Sequence, residues 1–166
     1  MEVRLRRADL ADRPVIEAFH RALYLGHRAS VMPVGMERLF AYRSFGAVLA
    51  EDVAAMLRDP SVVVLMAFAQ VEGPEEAVGY ISGSIESDER RVIRRKGVVG
   101  DWYVEERFRG ASVGRRLFET LESIFREAGC GLVEVATWPF NEDTREAIAA
   151  LGYREIQITY RKELEE

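Results

Sequence analysis

The sequence predicts an α/β domain: a mixed, mostly antiparallel sheet with about four helices. Two observations carry that class. Val62 to Ala69 is continuously apolar, and Ala77 to Ile85 is a second strand-like run. Glu72-Gly73-Pro74-Glu75 lies between them as a turn, so the pair reads as an antiparallel hairpin. Val98 to Val104, an amphipathic stretch, and Gly131 to Thr137 then read as strand, helix and strand. Such a crossover makes its two strands parallel neighbours.

The elements follow in order. Val3 to Arg7 alternates apolar and basic residues, as a half-buried strand does. Asp9 or Asp12 can cap the next helix, with Pro14 in its first turn and Val15, Phe19, Ala22 and Leu23 as its apolar face. Between Gly26 and Gly46, Met32, Met36, Phe40, Tyr42 and Phe45 are interrupted by Pro33 and Gly35. One helix over Gly35 to Tyr42 is expected there, and a firmer one over Ala47 to Arg58, stopped by Pro60. A polar turn at Ser87 to Arg90 leads into a strand running from near Val92 to Val104. Leu117, Leu121, Ile124 and Ala128 recur at helical spacing, with Phe118 and Phe125 widening the stripe. Gly129 closes that helix as a residue free to take positive φ. Asp143 with Glu146 suits a capping box and a helix start at Thr144. Glu155 to Lys162 lacks any turn signal and reads as one long strand.

Composition narrows the function. The chain of 166 residues is read as one domain, 1–166, and its 48% apolar and 31% charged content is that of a globular protein. A net charge of −5 argues against a nucleic-acid surface. No apolar run approaches a membrane span, and MEVRLRRADL lacks a signal-peptide core. Cys130 is the only cysteine, which points to a reducing, cytoplasmic setting. No cluster of His, Cys and carboxylates has metal-ligand spacing, and His20 and His27 read as surface or capping residues.

The chemically informative stretch is Val98 to Arg116, VVGDWYVEERFRGASVGRR. A strand, a basic turn with two glycines and a helix start aim backbone N–H groups and the positive helix end at one point. That suits an anion, most plausibly a phosphate. The Gly-Lys-Ser/Thr of a P-loop is absent, as is an early G-x-G-x-x-G. What stands here is Arg109-x-x-Ser112-x-Gly114 after Asp101-Trp102-Tyr103-Val104. This resembles the pyrophosphate-binding signature of the GNAT superfamily of acyl-CoA N-acyltransferases. Ser112 occupies the place of the family's first glycine; its Cβ crowds a pyrophosphate, although serine also suits a helix N-cap. Later in the chain, Asn141, Leu151, Gly152 and Tyr153 match the family's late motif in spacing, and Ile148 stands where the family usually has a tyrosine that protonates the departing thiolate.

The resemblance implies a twisted sheet of six to seven strands with its central strands splayed, and acetyl-CoA as cosubstrate. It implies that the diphosphate rests on the N–H groups of Gly110, Ala111, Ser112, Val113, Gly114 and Arg115, helped by the charges of Arg109 and Arg115. Trp102, Tyr103 and Val104 would pair with pantetheine, Asn141 would join the cofactor site, and the Val104 N–H would face the oxyanion. The region of Met36 and Phe40 would overhang the acceptor; the plainer reading makes each such side chain core.

Acyl transfer to an amine first needs a proton acceptor, because an ammonium is no nucleophile. Glu134 is favoured, since it projects opposite Val133 and Val135; Asp101, on the face of Tyr103, is the second candidate. Tyr103, Tyr160 or water are the options for protonating the thiolate. The reading is therefore an N-acetyltransferase acting on a primary amine of a small molecule or peptide, of unidentified nature. A homodimer is expected if the last strand leaves a free edge. One rival is an acyl-CoA-binding sensor or regulatory subunit of the same fold, favoured by Ile148 and Ser112. Another is an interaction module in which the glycine turn is only a connector.

Overall fold

A computed structural model describes residues 2–164. Five strands form one sheet in the order β1 (Glu2–Arg7), β2 (Val62–Gln70), β3 (Glu76–Ser87), β4 (Arg95–Val104) and β5 (Leu132–Val135). The first three pairings are antiparallel, and β4 with β5 is parallel, as the crossover through α3 (Val113–Glu127) requires. Helices α1 (Arg13–Gly26), α2 (Phe45–Arg58) and α4 (Glu142–Ala150) complete the domain. No helix among the described residues is long and apolar enough to cross a membrane.

The alternation of β2 divides the core. Val63, Leu65, Ala67 and Ala69 face α3, where Leu117, Phe118, Leu121 and Phe125 are fully buried. Val64 and Met66 face the other way, with Tyr80 of β3, against Ile16 and Phe19 of α1 and Val53 of α2. Ile16, not Val15, therefore carries the buried stripe of α1; Val15 is 37% exposed. Asp9 and Asp12 both serve at the entry to α1. They form a capping box around a short 3-10 turn, and Asp12 also takes a two-pronged bond from Arg6 at 2.7 Å on each oxygen. That guanidinium holds the Asp12 carboxyl below its usual range.

Several expectations need correction. Among the described residues the sheet has five strands, not six to seven. From Arg154 to Leu164 the chain runs outside any ladder and is exposed; Ile156, Ile158 and Tyr160 have no layer to bury against. The helix expected over Gly35 to Tyr42 shrinks to one 3-10 turn, Glu37–Leu39, because Pro33 and a left-handed Gly35 break the chain before it. Strand β4 begins at Arg95; Val92 is fully exposed in the preceding turn. Strand β5 ends at Val135, short of Thr137. Helix α4 begins at Glu142, because the Asn141 side chain accepts from the Thr144 N–H and caps it.

The tightest fit lies where α3 crosses the sheet. An added Cβ at Gly97 would run into the Phe125 ring, which is itself wholly buried. Gly97→Ala is accordingly expected to lower stability by about 1–3 kcal/mol through overpacking, read as a shifted urea midpoint at unchanged slope.

Candidate active site

The site begins where a ladder stops. Strands β4 and β5 pair from Lys96↔Leu132 to Val99↔Val135 and no further. Strand β4 continues to Val104 on the β3 side alone. A bulge marks the parting. Gly83 faces Val99 but Ile81 faces Trp102, so Gly100 and Asp101 together stand against Ser82. The Ser82 hydroxyl accepts the Asp101 N–H at 2.9 Å, replacing a backbone partner. Past the bulge, the Glu105 N–H bonds the Val78 carbonyl, and antiparallel alternation turns the Val104 N–H and C=O towards the vacated β5 side. Arg109 Nε donates to that Val104 carbonyl at 3.0 Å.

The N-terminus of α3 closes one end of this opening. Gly110 at φ 77° and Ser112 at φ 62° both take left-handed backbone, curling the loop. The first helical bond runs from the Arg116 N–H to the Ser112 carbonyl, which leaves the Val113, Gly114 and Arg115 N–H groups without intrahelical acceptors. Ser112 does not cap them, contrary to expectation: in the left-handed region its hydroxyl makes no capping bond. Trp102 reaches under this turn. Its indole N–H donates to the Gly114 carbonyl at 3.2 Å, and its ring meets Phe118 edge-on. A Cβ at Gly114 would lie 3.1 Å from the indole, so the loop and the splayed strand are held as one unit. Val113 is fully buried, and Ala111 is exposed. Arg115 is tied to Glu119, one turn on.

On the opposite face of β4, Tyr103 packs against Phe19 at 5.3 Å between ring centroids. Its phenol is pushed up, first by burial and then by the charge of Glu105. Asp101 lies on the same face. His20 of α1 places Nδ1 at 2.9 Å from the Tyr80 hydroxyl and 3.3 Å from Asp101 Oδ2. The hydrogen bond to Asp101 raises the imidazole above its ordinary value, more than burial lowers it. Tyr80 is fully buried, and that burial pushes its phenol far upward.

Glu134, the favoured base, does lie on the face opposite Val133 and Val135, but it points at a partner. Lys96 Nζ sits 2.7 Å from its carboxylate and 3.4 Å from that of Glu86. It stands beside Val98, below the parting of the strands, whereas Asp101 stands at it. Tyr160 is exposed in the C-terminal segment. Tyr153 is engaged with Glu122 and packs edge-on against Phe118. Beyond β5, Trp138 forms an aromatic wall with His27, Phe40 and Phe140. Burial lowers His27 and the charge of Arg109 adds to the effect, so this ring favours its neutral form.

The profile of the Acetyltransferase (GNAT) family matches residues 32–153. The chain belongs to that family. No curated protein matches the sequence. Solved structures share the fold at low identity. The BH1408 protein from Bacillus halodurans, as a tetramutant, has a TM-score of 0.80 at 20% identity, covering 97% of this chain and 99% of that one. Aminoglycoside N-acetyltransferase AAC(6')-Iy, bound to a CoA bisubstrate analogue, has 0.72 at 19%, covering 99% and 100%. A ribosomal-protein-alanine N-acetyltransferase from Brucella melitensis biovar Abortus 2308 has 0.67 at 17%, covering 99% and 100%. The GNAT fold thus stands over nearly the whole chain, and the strands that part are its β4 and β5.

Sequence reasoning singled out Asp101 and the glycine turn, and it did not anticipate that His20 and Tyr80 meet Asp101. The signal for them was weak: His20 follows Phe19 on the helix face that meets the sheet, and Tyr80 is a polar-tipped residue inside an apolar strand. Ser112 offers a direct check on the loop. A side chain in left-handed backbone costs about 1 kcal/mol. Ser112→Gly is expected to raise stability by about 0.5–1 kcal/mol in denaturant melts, whereas Ser112→Ala, losing a hydroxyl that caps nothing, stays within about 0.5 kcal/mol of the parent.

Proposed function

We propose that this GNAT protein transfers the acetyl group of acetyl-CoA to a primary amine of a small molecule or peptide. The observation that carries the reading is a slot with open polar backbone at both ends: Val104 turned to the vacated β5 side at one, and the N–H groups of Val113, Gly114 and Arg115 at the uncapped start of α3 at the other. Its two ends suit the two ends of coenzyme A. The N–H groups of Val113, Gly114 and Arg115, with Gly110, Ala111 and Ser112 curling the loop, would receive the diphosphate. The exposed guanidiniums of Arg109 and Arg115 would add charge, Arg109 by exchanging its Val104 bond. Trp102 and Val104 would offer backbone to the amide groups of pantetheine, while Tyr103, expected to share this role, turns its own backbone to Tyr80 of β3; the thioester would then lie beside Asp101 with the Val104 N–H towards its oxygen. Asn141 serves by fixing the loop between Trp138 and α4. Asp101 and Glu134 are the carboxylates proposed to serve proton removal, directly or through a neighbouring group, and the position of Asp101 at the bulge favours it.

The neighbours named as N-acetyltransferases act on an aminoglycoside and on a ribosomal protein's alanine, which supports an amine acceptor without choosing one. No metal is invoked. The free Cys130 is in keeping with a cytoplasmic protein. Half-buried Ile148 has no proton to give a thiolate, and this favours the second reading, an acyl-CoA-binding sensor. A homodimer is also proposed, because the outer edge of β5 and the extended apolar residues Ile156, Ile158 and Tyr160 both lack partners among the described residues.

Acetyl-CoA with a panel of amines, followed by thiol release, is expected to show turnover; binding without turnover would favour the sensor. Coenzyme A at about 100 times its Kd should raise stability by about 2.7 kcal/mol, and inorganic phosphate at the same concentration should not. Sedimentation at micromolar concentration is expected to give a dimer; a monomer would remove that part.

A further inference from the structure

Three groups meet where the strands part: His20 from α1, Tyr80 from β3 and Asp101 from the bulge of β4. Both short contacts of the imidazole fall on Nδ1. Nε2 has no hydrogen-bond partner among the described residues. No side-chain nitrogen or oxygen among them is both buried and unpartnered, so Nε2 reaches solvent. Nδ1 stands between the Tyr80 hydroxyl and the Asp101 carboxylate, and the tautomer in which Nδ1 carries its proton towards that carboxylate has the free lone pair on Nε2. Asp101 is itself held by Ser82, whose hydroxyl takes its N–H. The ring is thereby oriented from behind and open in front.

We propose that His20 Nε2 is the group that takes the proton from the acceptor amine, with Asp101 and Tyr80 as positioning residues. The inference rests on the acetyl transfer proposed above. In that reaction the substrate ammonium gives one proton to Nε2. The amine lone pair then forms the N–C bond to the thioester carbonyl. The C–S bond breaks, its electron pair leaving on sulfur. The second proton lost by the nitrogen ends on the thiolate, giving free thiol, and Nε2 returns its own to water. Nitrogen goes from ammonium to amide, and every proton is accounted for.

An imidazole binds a proton roughly 400-fold more tightly than an ordinary aspartate, which makes it the better acceptor from an ammonium. Asp101 strengthens that preference by raising the ring. The acids facing the ring are Tyr80 of β3, Asp101 of β4 and, by its charge alone, Asp52 of α2. Glu134, by contrast, already holds Lys96.

The test uses His20→Asn, whose amide can still donate to Asp101 from near the Nδ1 position but has nothing in place of Nε2. In the parent protein, kcat rises with pH as the imidazolium loses its proton. In His20→Asn that rise is expected to vanish and kcat to fall about 100-fold, with stabilisation by coenzyme A retained. Asp101→Asn removes the charge that favours the imidazolium, so the rise is expected to move to lower pH. NMR titration gives a readout independent of turnover. The chain has two histidines, so the signal lost in His20→Asn is that of His20. Its midpoint should match the kinetic one and drop in Asp101→Asn. A pH profile unchanged in His20→Asn, or an NMR midpoint away from the kinetic one, overturns the assignment alone. A parent protein that binds coenzyme A yet acetylates no amine overturns the transfer reaction, and the assignment with it.

Discussion

A ladder that stops while one of its strands goes on is the constraint behind the rest of this structure. Backbone N–H and C=O groups must be paired or wet. Beyond Val99↔Val135, β4 meets that demand on one side only. What prevents closure is local and visible. The bulge at Gly100 and Asp101 re-aims β4, and β5 ends after Val135 and gives way to the loop that carries Trp138. Arg109 meets part of the demand by bonding the Val104 carbonyl, and an exposed guanidinium is easier to displace than a neighbouring strand. The opening is therefore a polar slot kept from collapsing by the sheet on either side of it.

The two faces of β4 divide the work. Towards α3, Trp102 is locked against Gly114 and Phe118 over a core of fully buried aromatic and aliphatic side chains. That face gives rigidity, and it supports a loop held in strained backbone at Ser112. Strain of this kind persists only where the surroundings over-determine it, and the buried Val113 immediately after it is such an anchor. Towards α1, the packing is mixed with polar atoms: Tyr80, His20 and Asp101 meet one another inside an otherwise apolar layer. Such a network orients its members and is costly unless satisfied. Here the buried atoms all find partners, and the one unbonded imidazole nitrogen is the one that reaches water.

Much of this was legible in the residues. The hairpin of β2 and β3, the parallel pairing of β4 with β5 and the span of α3 came from runs and periods that physics leaves little freedom to rearrange. The glycine turn was legible because Gly110 and Gly114 stand at a strand-to-helix junction. Other features turned on tertiary facts. Whether Ser112 caps depends on its φ, which its neighbours set. Whether Glu134 is free depends on Lys96, a residue 38 positions away. The C-terminal segment alternates like a strand, but a strand needs a neighbour, and alternation does not supply one. The contact of His20 with Tyr80 and Asp101 was not legible, because a lone histidine on a helix carries no sign of what it faces across the core.

Helix α1 joins the two halves of the α1 side of the site. His20 and His27 are seven residues apart, so on a regular helix they share a stripe. His20 touches Asp101, and His27 feels its charge. The helix does not stay regular, however. From His27 to Val31 it widens into a π-turn, closed by a 2.8 Å bond from the Met32 N–H to the His27 carbonyl. The wider ring delays the chain by one residue, and Met32 turns inward and is buried while His27 keeps its place against Trp138. Such turns are tolerated where a side chain must be held at a set position against the helical period. The wall of the slot opposite β4 is thus set by the register of α1. That register is pinned by Ile16 and Phe19 on the sheet, and by the Asp9–Asp12 box and Arg6 at the entry to the helix. Contacts far from the slot therefore decide where both imidazoles stand, and a slip of one residue in α1 would turn them both away from Asp101.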